Sequence, residues 1–377
     1  MKDVMGIIYT AKNELNLREL TSKRNVPALP VAARYRLVDF LLSSMVNSGV
    51  RNVGLVMQGN YHSLMDHLGT GKEWDLHTRN NGLFLLPPFN NDNGGSYAGV
   101  MDGLRANLDY LRRSKQDLVL LSGGSMIFNA RFDEMFRFHA DNNADVTLLY
   151  TKYDPMTFDY SASSSTPRVF VNVDVENRVR DIEVNPNAAS YPNMYIDALL
   201  IKRTLLMHLV DQASSHGQHD LVRDILQPYV KDNMLRVMGF PFNGYCRQIS
   251  TIKSYFNMNM DLLNPEVRHE LFSVNPVYTK TRDEAPTKYL PGAKVTGSLV
   301  ADGCVIEGSV ENSILFRGVH VSPGVHIKNS IIMQDCEIGA NVELENVILD
   351  KDVTIMSGAR LIGVKQYPIV IGKNVTL

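Results

Sequence analysis

The stretch Val319-His320-Val321-Ser322-Pro323-Gly324-Val325-His326-Ile327-Lys328-Asn329-Ser330-Ile331-Ile332 decides how the C-terminal part of the chain folds. Val319, Val325 and Ile331 stand six apart, and Gly318 and Gly324 keep the same spacing. The phase extends outward in both directions. Gly297 and Gly303 repeat it, as do Leu299 and Val305, then Ile332, Ile338 and Leu344; Val347 and Val353 continue it with a shifted phase. Short branched strands separated by Gly, Asn and Asp turns suit the faces of a hexapeptide parallel β-helix. Branched side chains stack inside such a coil, and glycines permit its tight corners. Alternation alone also allows an antiparallel domain, but the sustained six-residue phase favours the β-helix, with Val319, Val325 and Ile331 as an inward stack. Its exposed ends and flanks make subunit association an expectation.

Upstream of Pro291 the pattern is different. Val4 to Tyr9 reads as a buried strand, followed by a helix over Arg34 to Asn47, a strand over Asn52 to Met57 and a short helix from Tyr61 to Leu68. Asp117 to Leu121 is strand-like and runs into Gly123-Gly124; Phe132 to Ala140 is helical and Val146 to Tyr150 is another strand. Asp220 to Val230 and Thr251 to Met260 are helical, with Thr251 as a cap. Apolar runs between helices predict a mainly parallel α/β sheet, which binds ligands beyond the carboxyl ends of its strands. Asn90 to Ser96 and Ser161 to Pro167 are polar and rich in turn residues, so they read as surface connections rather than lids. The expected organisation is an α/β domain over 1–265, a linker over 266–290 and a β-helix over 291–377.

Composition narrows the function classes. The 377 residues suffice for about two domains. Lys plus Arg is 38 against Asp plus Glu 40, a net charge of -2, which argues against a globally basic nucleic-acid binder. The cysteines, Cys246, Cys304 and Cys336, are scattered, so neither a disulfide framework nor a thiolate metal site is expected. The start lacks a signal peptide's apolar segment and no run is long enough to span a membrane, so a cytoplasmic protein without membrane partners is the expectation. His216 and His219, beside Asp220, read as solvated histidines for want of further ligand spacing. Ser122 sits in no nucleophile elbow.

An ordered set of motifs carries a resemblance. Its anchors are Arg24-Asn25-Val26-Pro27-Ala28-Leu29-Pro30, Tyr35-Arg36-Leu37-Val38-Asp39-Phe40, Trp74-Asp75-Leu76, Leu85-Leu86-Pro87-Pro88, Leu121-Ser122-Gly123, Gly244-Tyr245 and Asn259-Met260-Asp261-Leu262-Leu263. With the hexapeptide region they make the chain resemble the bacterial glucose-1-phosphate adenylyltransferase (ADP-glucose pyrophosphorylase) family over nearly its whole length. Within that family it looks like the GlgD-type, non-catalytic subunit. The resemblance implies a Rossmann-like nucleotidyltransferase domain followed by a left-handed parallel β-helix.

The departures from the family pattern separate the two types. Catalytic relatives follow the first strand with Leu-Ala-Gly-Gly-x-Gly-x-Arg-Leu, whose backbone donors cradle phosphates. Here Ile8-Tyr9-Thr10-Ala11-Lys12-Asn13-Glu14-Leu15-Asn16-Leu17 contains no glycine, and Tyr9 and Thr10 add side chains where close backbone approach is needed. Val26 stands where relatives carry a phosphate-assisting lysine. Gly124 and Gln248 stand where the family places two aspartates that clamp Mg²⁺, and neither is a hard anionic ligand. The resemblance therefore implies no cofactor at this chain's own site and Mg²⁺ in a catalytic partner. Asp102, within Gly99-Val100-Met101-Asp102-Gly103, reads either as a leftover of the substrate cleft or as a helix cap. Glu183, in Glu183-Val184-Asn185-Pro186, stands for the blurred sugar-side Glu-Lys-Pro.

Lys23, Arg24 and Arg36 match places that in relatives contribute to a pocket for phosphorylated effectors near the β-helix. Internal salt bridges from Arg24 and Arg36 to Asp39 or another acid are the alternative. The implied function is that of a regulatory subunit in a heterotetramer with a catalytic glucose-1-phosphate adenylyltransferase paralogue, making ADP-glucose for glycogen. An independent nucleotidyltransferase with altered chemistry, or a module sensing a sugar phosphate or nucleotide, stays open beside it.

Overall fold

The computed structural model describes residues 4–10, 15–78, 81–88, 97–155, 158 and 166–377. Ala11 to Glu14, Asn90 to Ser96 and Ser161 to Ser165, singled out above, lie outside the described residues. Nine strands form one sheet: β1 (Val4–Tyr9), β2 (Asn52–Val56), β3 (Gly82–Leu86), β4 (Leu118–Gly123), β5 (Val146–Lys152), β6 (Val169–Val173), β7 (Val179–Val184), β8 (Asn193–Lys202) and β9 (Val237–Pro241). The order is β7-β6-β8-β4-β1-β2-β3, with β5 paired to β8 and β9 to β5.

The sheet is mixed rather than mainly parallel. β4, β1, β2 and β3 run parallel, whereas β8 is antiparallel to β4, β5 and β6. The links from β6 to β7 and from β7 to β8 are too short for the crossover that parallel neighbours need. Apolar layers cover both faces, one centred on Leu41, Met45, Leu120 and Phe132 and the other on Met5, Leu121, Leu199 and Leu206.

The helix expected from Arg34 starts later, at Leu37–Asn47. Pro30–Val31 and Tyr35–Arg36 pair across Ala32 and Ala33, whose φ values of 54° and 61° cannot continue a right-handed helix. The Asp39 carboxylate accepts the Arg36 N–H at 2.9 Å and fixes the start. Asp220 to Val230 is divided into a π-turn at Val222–Leu226 and a helix at Gln227–Lys231. Thr251 caps Ile252–Asp261, its Oγ1 accepting the Ser254 N–H at 2.9 Å.

From Lys288 onward the chain winds through three five-stranded sheets in which every pairing is parallel, the arrangement typical of a left-handed β-helix. The coil interior holds Leu315, Val319, Val325, Ile332, Ile338 and Leu344. Ile331 does not join it. Ile314, Ile331 and Ile348 point out of the third sheet into a core shared with Leu17, Leu20, Val26, Phe40 and Tyr255. Two features explain the correction. Successive strand residues face opposite sides, so Ile332 takes the inward place beside Ile331. Most ladder partners stand 17 residues apart, as Ile314 and Ile331 do, so a strict six-residue count drifts by one around such a coil. The β-helix is thus packed against the α/β domain along one face.

Candidate functional site

The carboxyl ends of β1, β2 and β4 open on a cavity of about 300 Å³, lined among others by Tyr9, Gln58, Gly124, Asp197, Asp220 and Gln248. This is where an open α/β sheet holds its ligand. Of the three positions expected to part this chain from catalytic relatives, Gly124 and Gln248 line it. A Cβ at Gly124 would lie 2.5 Å from Pro27 Cγ, so a side chain there requires the proline to move. Gln248, on the short strand Arg247–Gln248, is buried and donates weakly to the Thr166 carbonyl at 3.4 Å. Val26 is elsewhere, 3% exposed within the apolar core under the β-helix, so a lysine on this backbone would start in hydrocarbon. Among the described residues no group of three or more His, Cys, Asp and Glu is placed to hold a metal ion. The residues present do not fit the Mg²⁺ clamp of the family.

Several backbone donors at the strand ends are consumed by internal bonds among the described residues. Gly124 N donates to the Tyr9 carbonyl at 3.0 Å and Thr10 N to Val56 O at 3.0 Å. Gln58 N donates to Thr10 Oγ1 at 2.9 Å, and Tyr97 N to Gln58 Oε1 at 3.2 Å. In the middle of this edge the Tyr9 hydroxyl donates to Asp197. Burial pushes the Asp197 carboxyl up to about 7; the Tyr9 hydrogen bond opposes the rise and Asp220 adds to it. Burial, and then the Asp197 charge, raise the Tyr9 phenol well above its ordinary range. The sequence reading noticed Tyr9 and overlooked Asp197. The signal was present: a lone carboxylate inside Met194-Tyr195-Ile196-Asp197-Ala198-Leu199-Leu200 is unusual in a buried strand.

Asp102 accepts the Gly99 N–H at 3.0 Å at the start of the helix Val100–Ala106, which is cap geometry, and it also meets His219 Nδ1 at 2.9 Å. His216 and His219 are both exposed. Glu183 accepts the Ser190 N–H at 3.0 Å and lies outside the cavity, whose wall is reached by its neighbours Val184 and Asn185. Ser122 Oγ donates to the Asp197 carbonyl at 2.8 Å.

The basic residues gather at the junction of the domains. Arg24 is 3% exposed, and its Nη2 donates to both oxygens of Asp350, at 2.8 and 3.0 Å. Among the described residues its Nη1 is buried without a partner. Arg36 is half-buried, and its Nη1 donates to Ser63 O at 2.7 Å and Ser63 Oγ at 2.8 Å. Burial brings its guanidinium down to about 10. Lys23 is exposed. Lys351, missed in the sequence, belongs with them: burial first, then Arg36 and Arg24, bring its amine down to about 7. The acid that pairs with Arg24 is Asp350, 326 positions away, and not Asp39, which accepts from Arg36 N and meets His67 Nε2 at 2.6 Å.

A mixed sheet with a cleft at its strand ends, joined to a triple-sheet coil, defines a nucleotidyltransferase-type chain. Family models agree: residues 15–265 match "Nucleotidyl transferase" and residues 287–367 match "GlmU-like, C-terminal hexapeptide". The chain is 34% identical over 330 residues to the glycogen biosynthesis protein GlgD of Bacillus subtilis, covering 86% of this chain and 82% of that one. It is 36% identical over 323 residues to GlgD of Geobacillus stearothermophilus (85% and 82%), and 31% identical over 332 residues to the glucose-1-phosphate adenylyltransferase of the same organism (87% and 84%). The chain belongs to the bacterial glucose-1-phosphate adenylyltransferase/GlgD family. Among the described residues no helix is long and apolar enough to cross a membrane.

Proposed function

We propose that this chain is the non-catalytic, regulatory subunit of a glucose-1-phosphate adenylyltransferase complex, a heterotetramer with a catalytic paralogue that makes ADP-glucose for glycogen. The observation carrying the reading is the closed carboxylate position: Gly124 backs onto Pro27, with neutral Gln248 as the other family position. Nucleotidyl transfer depends on charge stabilisation around the phosphates, and neither Gly124 nor Gln248 supplies a carboxylate at the positions the resemblance assigns to Mg²⁺. The metal and the chemistry belong in the partner. The chain would act through contacts that differ between two states of the assembly. In the same reading Lys23, Arg24 and Arg36, joined by Lys351, take a phosphorylated effector, and Arg24 must exchange Asp350 for it.

A second reading is an independent sugar-phosphate nucleotidyltransferase with altered chemistry, or a sugar-phosphate or nucleotide sensor. It is supported by the cavity of about 300 Å³ and by an adenylyltransferase relative at 31% identity. One experiment separates the readings. The purified chain, its catalytic paralogue and their mixture are compared for oligomer mass and initial rate of ADP-glucose formation. Association with altered partner kinetics, and no turnover by this chain alone, is expected. Mg²⁺-dependent turnover by this chain alone selects the altered enzyme. No association and no kinetic change, with effectors present, leaves the sensor.

A further inference from the structure

We propose that the Tyr9–Asp197 pair is a charge filter for the strand-end cleft, refusing ligands that carry a phosphoryl group and leaving the cavity to uncharged sugars or nucleosides. The proposal concerns binding by this chain alone, so it and the reading as a regulatory subunit can fail separately.

Position is the first argument. Asp197 comes from β8 and lies over the end of β4, where a Cβ at Gly123 would run into its carboxylate. Tyr9 reaches it from the end of β1. At pH 8, above the titration of Asp197, a phosphoryl group brought to the strand ends therefore meets a carboxylate where related folds offer backbone donors. Strain is the second argument. Asp197 has φ 55° at a break in the β8–β5 register between Tyr195 and Leu199. A non-glycine residue held there inside a strand marks a place where structure has been spent on something other than the ladder. The bulge turns the side chain, and Ser122 Oγ bonded to its carbonyl at 2.8 Å keeps it turned.

Compensation is the third argument. The amides of Thr10, Gln58, Tyr97 and Gly124 are spent on internal bonds. Arg223, on the cavity wall, is offset by Asp224 at 2.8 Å, whereas Arg168, whose Nη2 donates to the neutral Pro186 carbonyl at 3.2 Å, keeps its charge at the outer wall. Asp220 is close enough to raise the Asp197 carboxyl further and adds to the negative field. A volume of about 300 Å³ is at the low end for small-molecule sites and suits one sugar ring or one nucleoside.

The test uses Asp197→Asn, which keeps the shape and the acceptor for Tyr9 and removes the charge, with Asp197→Ser as a second variant should the first fold poorly. Calorimetric titration at pH 8 pairs adenosine with AMP and glucose with glucose 1-phosphate, without added divalent metal. Repulsion over a few ångströms at a partly wet site is worth about tenfold or more in affinity. The expected result is a gain of at least about tenfold for AMP or glucose 1-phosphate in a folded variant, with adenosine and glucose changed less than about threefold. A smaller gain for both phosphate esters overturns the proposal. An equal gain for the uncharged member of a pair overturns it as well, because that would make the pair a steric plug.

Discussion

Replacing Asp197 by Asn should stabilise the protein at pH 8 and do much less at pH 5. The carboxyl stays protonated in the folded chain up to about 7, against 3.8 for an unperturbed group. Between those values the folded chain holds a proton that the unfolded chain has released, so stability falls as pH rises through the window and levels off above it. The full gap corresponds to about 4 kcal/mol. Roughly a third of it is lost below pH 5, and the residue borders the cleft, where water screens part of the remainder, so about 2 kcal/mol is expected between pH 5 and pH 8. Asparagine carries no such titration, can accept from Tyr9, and tolerates the positive φ of this position. The measurement is the difference in thermal midpoint between variant and wild type at the two pH values, and it should widen by roughly 4–8 °C at pH 8 for a domain of this size. A difference that stays constant with pH, or a variant less stable than wild type at pH 8, would refute the reasoning that a buried carboxylate is held here at a cost.

Three further outcomes are expected. Arg24→Ala should lower stability by about 3–5 kcal/mol in urea denaturation, because it leaves the buried Asp350 without its arginine counter-charge, and Arg24→Ala with Asp350→Ala should cost less than the sum of the single changes. Val325→Asp puts a charge into the coil interior and should abolish the folded β-helix by circular dichroism, whereas Ile331→Ala at the junction should cost about 2–5 kcal/mol and leave the β-helix signal intact. Gly124→Asp combined with Gln248→Asp should give no ADP-glucose formation and should lower the thermal midpoint, since the new side chain meets Pro27; turnover by the double variant but not by the unaltered chain would overturn this expectation.

The β-helix was legible because its signal is local: each strand and turn repeats within six residues, and only the one-residue drift of a 17-residue coil hid which isoleucine faces inward. The first half of the sheet was legible for the same reason, as single apolar runs. The direction of β8 was not, because strand order is set by links and partners far apart in sequence. The lack of glycine after β1 and the residue types at Val26, Gly124 and Gln248 could be read directly, but not that Val26 lies outside the cleft. The filling of the space could not. Pro27 behind Gly124 and Asp197 against Tyr9 are contacts across the fold, and no spacing rule announces them. Arg24 shows the limit most clearly: its type suggested an anion partner, while its actual partner, Asp350, lies 326 positions downstream.

That separation also bears on how the protein is made. Leu17, Leu20, Val26 and Phe40 are covered by Ile314, Ile331 and Ile348, and Arg24 is paired with Asp350. During translation the first half of the chain leaves the ribosome with this apolar face bare and an arginine without its counter-charge. At typical bacterial speeds the missing cover follows after about 15–65 s. The segment around Arg24 thus stays uncovered for about that interval, and the nascent chain should engage holding chaperones until the last coil of the β-helix emerges.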